Sequence, residues 1–177
     1  MKIQKYIIIL LFLYCVATTA YAQREKDSSL EDTYNLSEAV LVVNLKSIQE
    51  VDRVSLSKHQ PFMTYTFQVV DVVDSKKHRL KKDDEITYSH AKYLKFRLHK
   101  LREKLQENKI LLIFVGKVAG SAVVLKSQDT VFEVIPNKQG ILVLKDPAEF
   151  QRVFNSELTR IPELKEKIKA FTHKKDT

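Results

Sequence analysis

The sequence predicts a mainly β, α+β domain: a small Greek-key barrel with one helix between its third and fourth strands and a helical extension at the C-terminus. Three observations carry that prediction. Apolar residues alternate with polar ones at Ala39, Leu41, Val43 and Leu45 and again at Tyr65, Phe67 and Val69, the period of a strand with one buried face. Leucines at 94, 98, 101 and 105 recur at steps of four, three and four, which places them on one face of a helix. Residues 110–115, Ile-Leu-Leu-Ile-Phe-Val, form an unbroken apolar run, as expected of a strand buried on both faces.

In chain order, the first element is an export signal. Residues 1–5 carry two cations and no acid, residues 6–16 are uncharged and apolar, and small residues lead to Ala20-Tyr21-Ala22-Gln23. These are the three parts of a Sec signal peptide, with cleavage expected between Ala22 and Gln23. The apolar run is shorter than the roughly 20 residues a membrane-spanning helix needs, so no transmembrane segment is expected after cleavage. Leu13 and Tyr14 precede Cys15, and that bulk argues against a lipoprotein. The mature chain is expected outside the cytoplasm, secreted or periplasmic. Cys15 is the single cysteine, so the mature chain holds no disulfide, thiolate ligand or cysteine nucleophile. After cleavage 28 cations face 22 acids, a net charge of +6.

Residues 23–35 are polar and are expected to form a flexible leader, followed by the barrel domain over 36–145. The first strand begins at Ala39 and turns amphipathic toward Lys46, and residues 51–61 are expected to form a polar loop. The second strand runs on from Tyr65 through Val69-Val70 and Val72-Val73, where the doubled valines predict a bulge. Residues 74–85 are a charged turn before a short third strand at Ile86-Thr87-Tyr88. The helix follows and ends at Asn108, and then comes the apolar strand. Residues 123–125, 131–135 and 141–144 complete the strands, the last two joined as a hairpin by Pro136-Asn137-Lys138-Gln139-Gly140. The extension over 146–177 opens with Asp146, Pro147 and Glu149, a capping acid, a first-turn proline and a first-turn acid. Phe150, Val153 and Phe154 share one face there, and Leu164, Ile168 and Phe171 share another.

Three strands, a helix, then further strands is the connectivity of the OB-fold. The texture of four stretches resembles the netrin-module and TIMP-like branch of that fold, and bacterial exported domains of this kind. They are Ser37-Glu38-Ala39-Val40-Leu41-Val42-Val43, Tyr65-Thr66-Phe67-Gln68-Val69-Val70-Asp71-Val72-Val73, Leu80-Lys81-Lys82-Asp83-Asp84-Glu85-Ile86 and Glu107-Asn108-Lys109-Ile110-Leu111-Leu112-Ile113-Phe114-Val115. The resemblance covers roughly residues 37–145 and implies the fold. It does not bring the inhibitor activity, because the inhibitors begin on a zinc-chelating cysteine and this mature chain begins at Gln23. Asn108 also stands where many relatives have glycine. Function has to be argued from the chain's own residues.

The feature that suggests a partner is the helix between strands three and four. Lys92, Lys95, Arg97, Lys100, Arg102 and Lys104 flank its leucine stripe, and such a face could hold an anionic envelope glycan or lipid through charge-assisted bonds. Tyr65, Phe67 and Tyr88 fall on strands whose aromatics bind nucleic acid in related barrels. Core packing explains them as well, and no nucleic-acid partner is expected of an exported chain. His59, His78, His90, His99 and His173 make no helical ligand pair, Asp83-Asp84-Glu85 lacks calcium-loop spacing, and no metal or cofactor is expected. The sequence contains no nucleophile elbow, serine–lysine motif or phosphate loop. The expected class is therefore a non-catalytic binding or interaction module. The alternatives are an assembly protein docking an unknown partner through its C-terminal helices, and an enzyme with an unrecognised site.

Overall fold

The computed structural model describes residues 29–55, 58–76, 79–91 and 99–173. The segment expected to be an export signal lies outside them, as does the first part of the expected leader. Within the expected leader, Leu30–Asn35 forms a short helix, α1, capped by Ser29, whose Oγ accepts the Asp32 N–H at 3.0 Å. Leu30 and Tyr34 are four residues apart and both buried. The polar leader expected up to residue 35 therefore gives way to docked helix from Leu30 onward.

The strands are β1 (Ala39–Ser55), β2 (Lys58–Ser75), β3 (Glu85–Ala91), β4 (Ile110–Ala119), β5 (Ala122–Leu125), β6 (Val131–Pro136) and β7 (Leu142–Leu144). Three more helices are α2 (His99–Lys104), α3 (Pro147–Phe154) and α4 (Ile161–His173). The sheet order is β1-β2-β3-β5-β4-β6-β7, and β1 also pairs with β4. Five strands thus follow one another round a ring, with β3 and β5 parallel and the other pairings antiparallel. β5 takes the C-terminal half of one β4 edge and β6 the N-terminal half. The molecule is mainly β, with helices added to a barrel-like sheet.

Two strands differ from their expected lengths. β1 and β2 continue through the polar stretch as a long hairpin, pairing Val51 with Phe62 and Ser55 with Lys58. Backbone hydrogen bonds do not need apolar side chains, so composition alone suggested a loop there. Two of the three register shifts between β1 and β2 fall at the doubled valines: partners step from Asp74 to Val72 between Val40 and Leu41, and from Asp71 to Val69 between Val42 and Val43. Each step leaves one extra β2 residue, Val73 and Val70, and both pack against the outer core while Val69 and Val72 serve the inner one.

There are two cores, and β1 and β4 divide them. Leu41, Val43, Leu111, Ile113 and Val115 point into the ring with Tyr65, Phe67 and Ile86. Val40, Val42, Leu112 and Phe114 point outward against α1, α3, α4, β6 and β7. Every residue from Leu111 to Val115 is fully buried, as the unbroken run predicted. Phe150, Phe154, Ile161, Leu164, Ile168 and Phe171 cover this outer face, and Val153 packs beside them. Those side chains bury the protein's own sheet.

Candidate functional site

Of the cations expected to form a basic face, Lys92, Lys95 and Arg97 lie outside the described residues, as do Ala22 and Gln23 at the expected cleavage site. Lys100 and Arg102 stand on α2. The described helix ends at Lys104 rather than Asn108; Asn108 instead adopts φ 65° in the turn before β4, its N–H donating to the Leu45 carbonyl at 2.9 Å. Leu101 and Leu105 are buried in the inner core, so this part of the leucine stripe does pack on the barrel.

Lys104 does not point to open solvent. Its Nζ lies 2.8 Å from Glu149 Oε1 on α3, donates to the Val131 carbonyl at 2.7 Å and sits 5.4 Å from the Phe132 ring centroid. Its side chain is 19 % exposed. Of the cations expected on that face, Lys104 is thus held in an ion pair, because α3 supplies an acid. Next to it, Glu133 bridges Lys145 at 2.9 Å and Lys109 at 3.1 Å. Lys104, Glu149, Glu133, Lys145, Asp146 and Phe132 line a hollow of about 400 Å³.

Inside one end of the ring, Tyr65, Tyr88 and His90 form an aromatic group. Ring centroids are 5.9 Å apart for Tyr65 and Tyr88, 5.5 Å for Tyr65 and His90, and 5.8 Å for Tyr88 and His90. His90 Nδ1 lies 3.1 Å from the Ala91 carbonyl and Nε2 lies 3.2 Å from the Tyr65 hydroxyl. A carbonyl only accepts, so Nδ1 carries the proton and Nε2 accepts from Tyr65. Burial, and then the neighbouring Tyr65, pushes the Tyr88 phenol up to about 12. His90 was missed as a member because the third strand was read as ending at Tyr88. Its signal was the alternation Ile86, Tyr88, His90. A shallow cleft of about 310 Å³ opens beside Tyr65, between Ile48, Met63 and Leu105.

A larger cleft, about 640 Å³, lies between α1, the end of α3 and α4. Leu30, Phe154 and Phe171 form its apolar part, and Glu31, Arg152 and Lys167 bring charge to it. Lys167 Nζ donates to the buried Ser156 Oγ at 3.0 Å. Asn155, with φ 47° and ψ 45°, ends α3 in the left-handed region and turns the chain along this cleft.

Among the described residues no His, Asp and Glu side chains gather in a group of three or more that could hold a metal ion. No helix among them is long and apolar enough to cross a membrane. No family model matches the chain, and no curated protein matches it.

Proposed function

We propose that the mature chain is an exported, non-catalytic binding module on an OB-like barrel, meeting an anionic envelope component, a glycan or a lipid, through the basic segment 92–104. The OB reading is supported by the ring order β1-β2-β3-β5-β4 returning to β1, by the parallel β3–β5 pairing, and by a helix between β3 and β4. The barrel interior is filled by Tyr65, Phe67, Val69, Ile86, Leu111 and Ile113, so a partner would meet the outside.

The observation that carries the binding surface is the burial of Leu101 and Leu105. It sets Leu101 and Leu105 against the inner core, with Glu103 between them exposed. Export is supported by the pattern of residues 1–23, and the compartment is periplasmic or extracellular.

Two measurements test the reading. Mass spectrometry of the native protein should find Gln23 as its first residue; Met1 retained on a cytosolic protein would overturn export. Titration with anionic glycan or lipid should give binding that weakens with salt and is lost on charge reversal at Lys95, Lys100 and Arg102. Binding indifferent to both would sink the anionic partner.

A further inference from the structure

We infer that the cleft between α1, the end of α3 and α4 is a binding site for a small anionic amphiphile, a carboxylate carried on a short apolar body. It uses none of residues 92–104 and stands or falls separately from the surface proposed above.

The local fold explains why polar donors collect there. Asn155 closes α3 in the left-handed region, its N–H donating to the Gln151 carbonyl at 2.7 Å. The next residue, Ser156, lines the cleft yet is only 5 % exposed. Lys167, at the middle of α4, reaches it with an Nζ–Oγ distance of 3.0 Å.

That bond leaves donors over. Ser156 Oγ accepts from Lys167, and its own hydrogen meets no acceptor among the described residues. An ammonium carries three N–H groups, and Lys167 spends one on Ser156. Arg152, in the last turn of α3, is exposed and pairs with no acid among the described residues. A buried hydroxyl with an unspent hydrogen is costly unless an acceptor reaches it. A negatively charged group rich in lone pairs serves all three side chains at once.

The charge balance selects the head group. Every residue lining the cleft is described, and two cations, Arg152 and Lys167, stand there against one acid, Glu31. Glu31 is half-buried in the first turn of α1 and makes no ion pair with either cation. A surplus of one positive charge is matched by a single carboxylate, whereas a phosphate dianion or an ammonium would leave charge unbalanced. Leu30, Phe154 and Phe171 give the ligand's body an apolar contact. The volume of about 640 Å³ falls within the roughly 300–1,000 Å³ of small-molecule sites.

The test is NMR titration of the full mature chain with octanoate, with octanol, octylamine and acetate as controls. Octanoate should shift the resonances of Leu30, Phe154, Ser156 and Phe171 to saturation, and its binding should weaken with salt. Octanol lacks the charge and acetate the apolar body, so each should bind at least about tenfold more weakly. Arg152→Gln and Lys167→Gln should each weaken octanoate binding by about tenfold, and Glu31→Gln, which removes the opposing charge, should tighten it. Arg152 and Lys167 are exposed, and an unchanged melting temperature would show that their variants fold. Octanol or octylamine binding as tightly as octanoate, shifts confined to other residues, or full affinity in both cation variants would each overturn the inference. Charge reversal at Lys95, Lys100 and Arg102, run in parallel, should leave octanoate binding unchanged. A loss there would move the ligand to the basic segment and refute the cleft.

Discussion

Tyr34 gives its hydroxyl hydrogen to Asp74 Oδ2 across 3.0 Å, joining α1 to the end of β2 forty residues later. Lys76 Nζ lies 3.8 Å from the centroid of the same ring, and the Phe171 ring of α4 packs against it at 5.9 Å. One side chain therefore links the first helix, the second strand and the last helix. Tyr34 is 2 % exposed, and this clasp makes residues 29–37 part of the folded unit.

Removing the clasp should lower stability in two steps. Tyr34→Phe deletes only the hydroxyl and should cost about 1–2 kcal/mol in urea unfolding, the usual effect of losing one hydrogen bond to a carboxylate. Tyr34→Ala also empties the ring's site against Phe171 and should cost about 3–5 kcal/mol. If both variants unfold like the parent, α1 is not anchored as described.

Legibility in the sequence followed the physics of each signal. The run at 110–115 was readable because burial on both faces leaves no polar position. The start of α3 was readable because a cap is local: Asp146 Oδ1 accepts the Glu149 N–H at 3.0 Å. The long β1–β2 hairpin was not, since backbone pairing is blind to composition. α1 was hidden because Leu30 and Tyr34 are one apolar pair among acids, too short to show a period. Lys104 could not be placed because its partner, Glu149, is 45 residues away and a helical wheel carries no tertiary information. Most of the basic segment that suggested function lies outside the described residues, so its role rests on binding measurements.

The C-terminal extension should be inseparable from the barrel. A chain ending at residue 145 would uncover Val40, Val42, Leu112, Phe114 and Phe132, all fully buried or nearly so. Exposing a contiguous apolar face of that kind leads to association. The truncated protein is expected to be insoluble or aggregated by light scattering, whereas the full mature chain stays dispersed. A soluble, cooperatively folding truncation would contradict the two-core description.

Asn108 offers a backbone test. Its φ of 65° is unfavourable for a residue with a Cβ and no compensating local bond, by about 1–2 kcal/mol. Asn108→Ala should therefore destabilise by about 1 kcal/mol, and Asn108→Gly should leave the melting temperature near the parent's. Equal effects of the two would mean the turn tolerates a different backbone.

Glu133 should make part of the stability acid-sensitive. Burial alone would raise its carboxyl, but hydrogen bonds from Lys145 and Lys109 outweigh this and hold it below its ordinary 4.5. A depressed carboxyl contributes stability above its unfolded value and loses it as pH falls through the folded one. Glu133→Gln should cost about 1 kcal/mol at neutral pH, as a half-exposed ion network does, and that difference should close below pH 4.5. A gap that persists in acid would point to packing rather than charge.

At the alkaline end the sign is the opposite in form and the same in logic. Burial, with Tyr65 second, moves the Tyr88 phenol from 10.0 up to about 12. Burial, with the bond to Asp74 second, raises Tyr34 as well. The unfolded chain releases these protons first, so stability is complete below pH 10 and declines as pH climbs from there toward 12. Melting temperatures should fall across that interval, and two slow-titrating phenols should appear in the ultraviolet tyrosinate signal of the folded protein. Tyr88→Phe should remove one of them and flatten the decline without affecting the acid limb. A Tyr88 that ionises near 10 in the folded state would mean that water reaches its hydroxyl freely, and the packed aromatic group with Tyr65 and His90 would have to be abandoned.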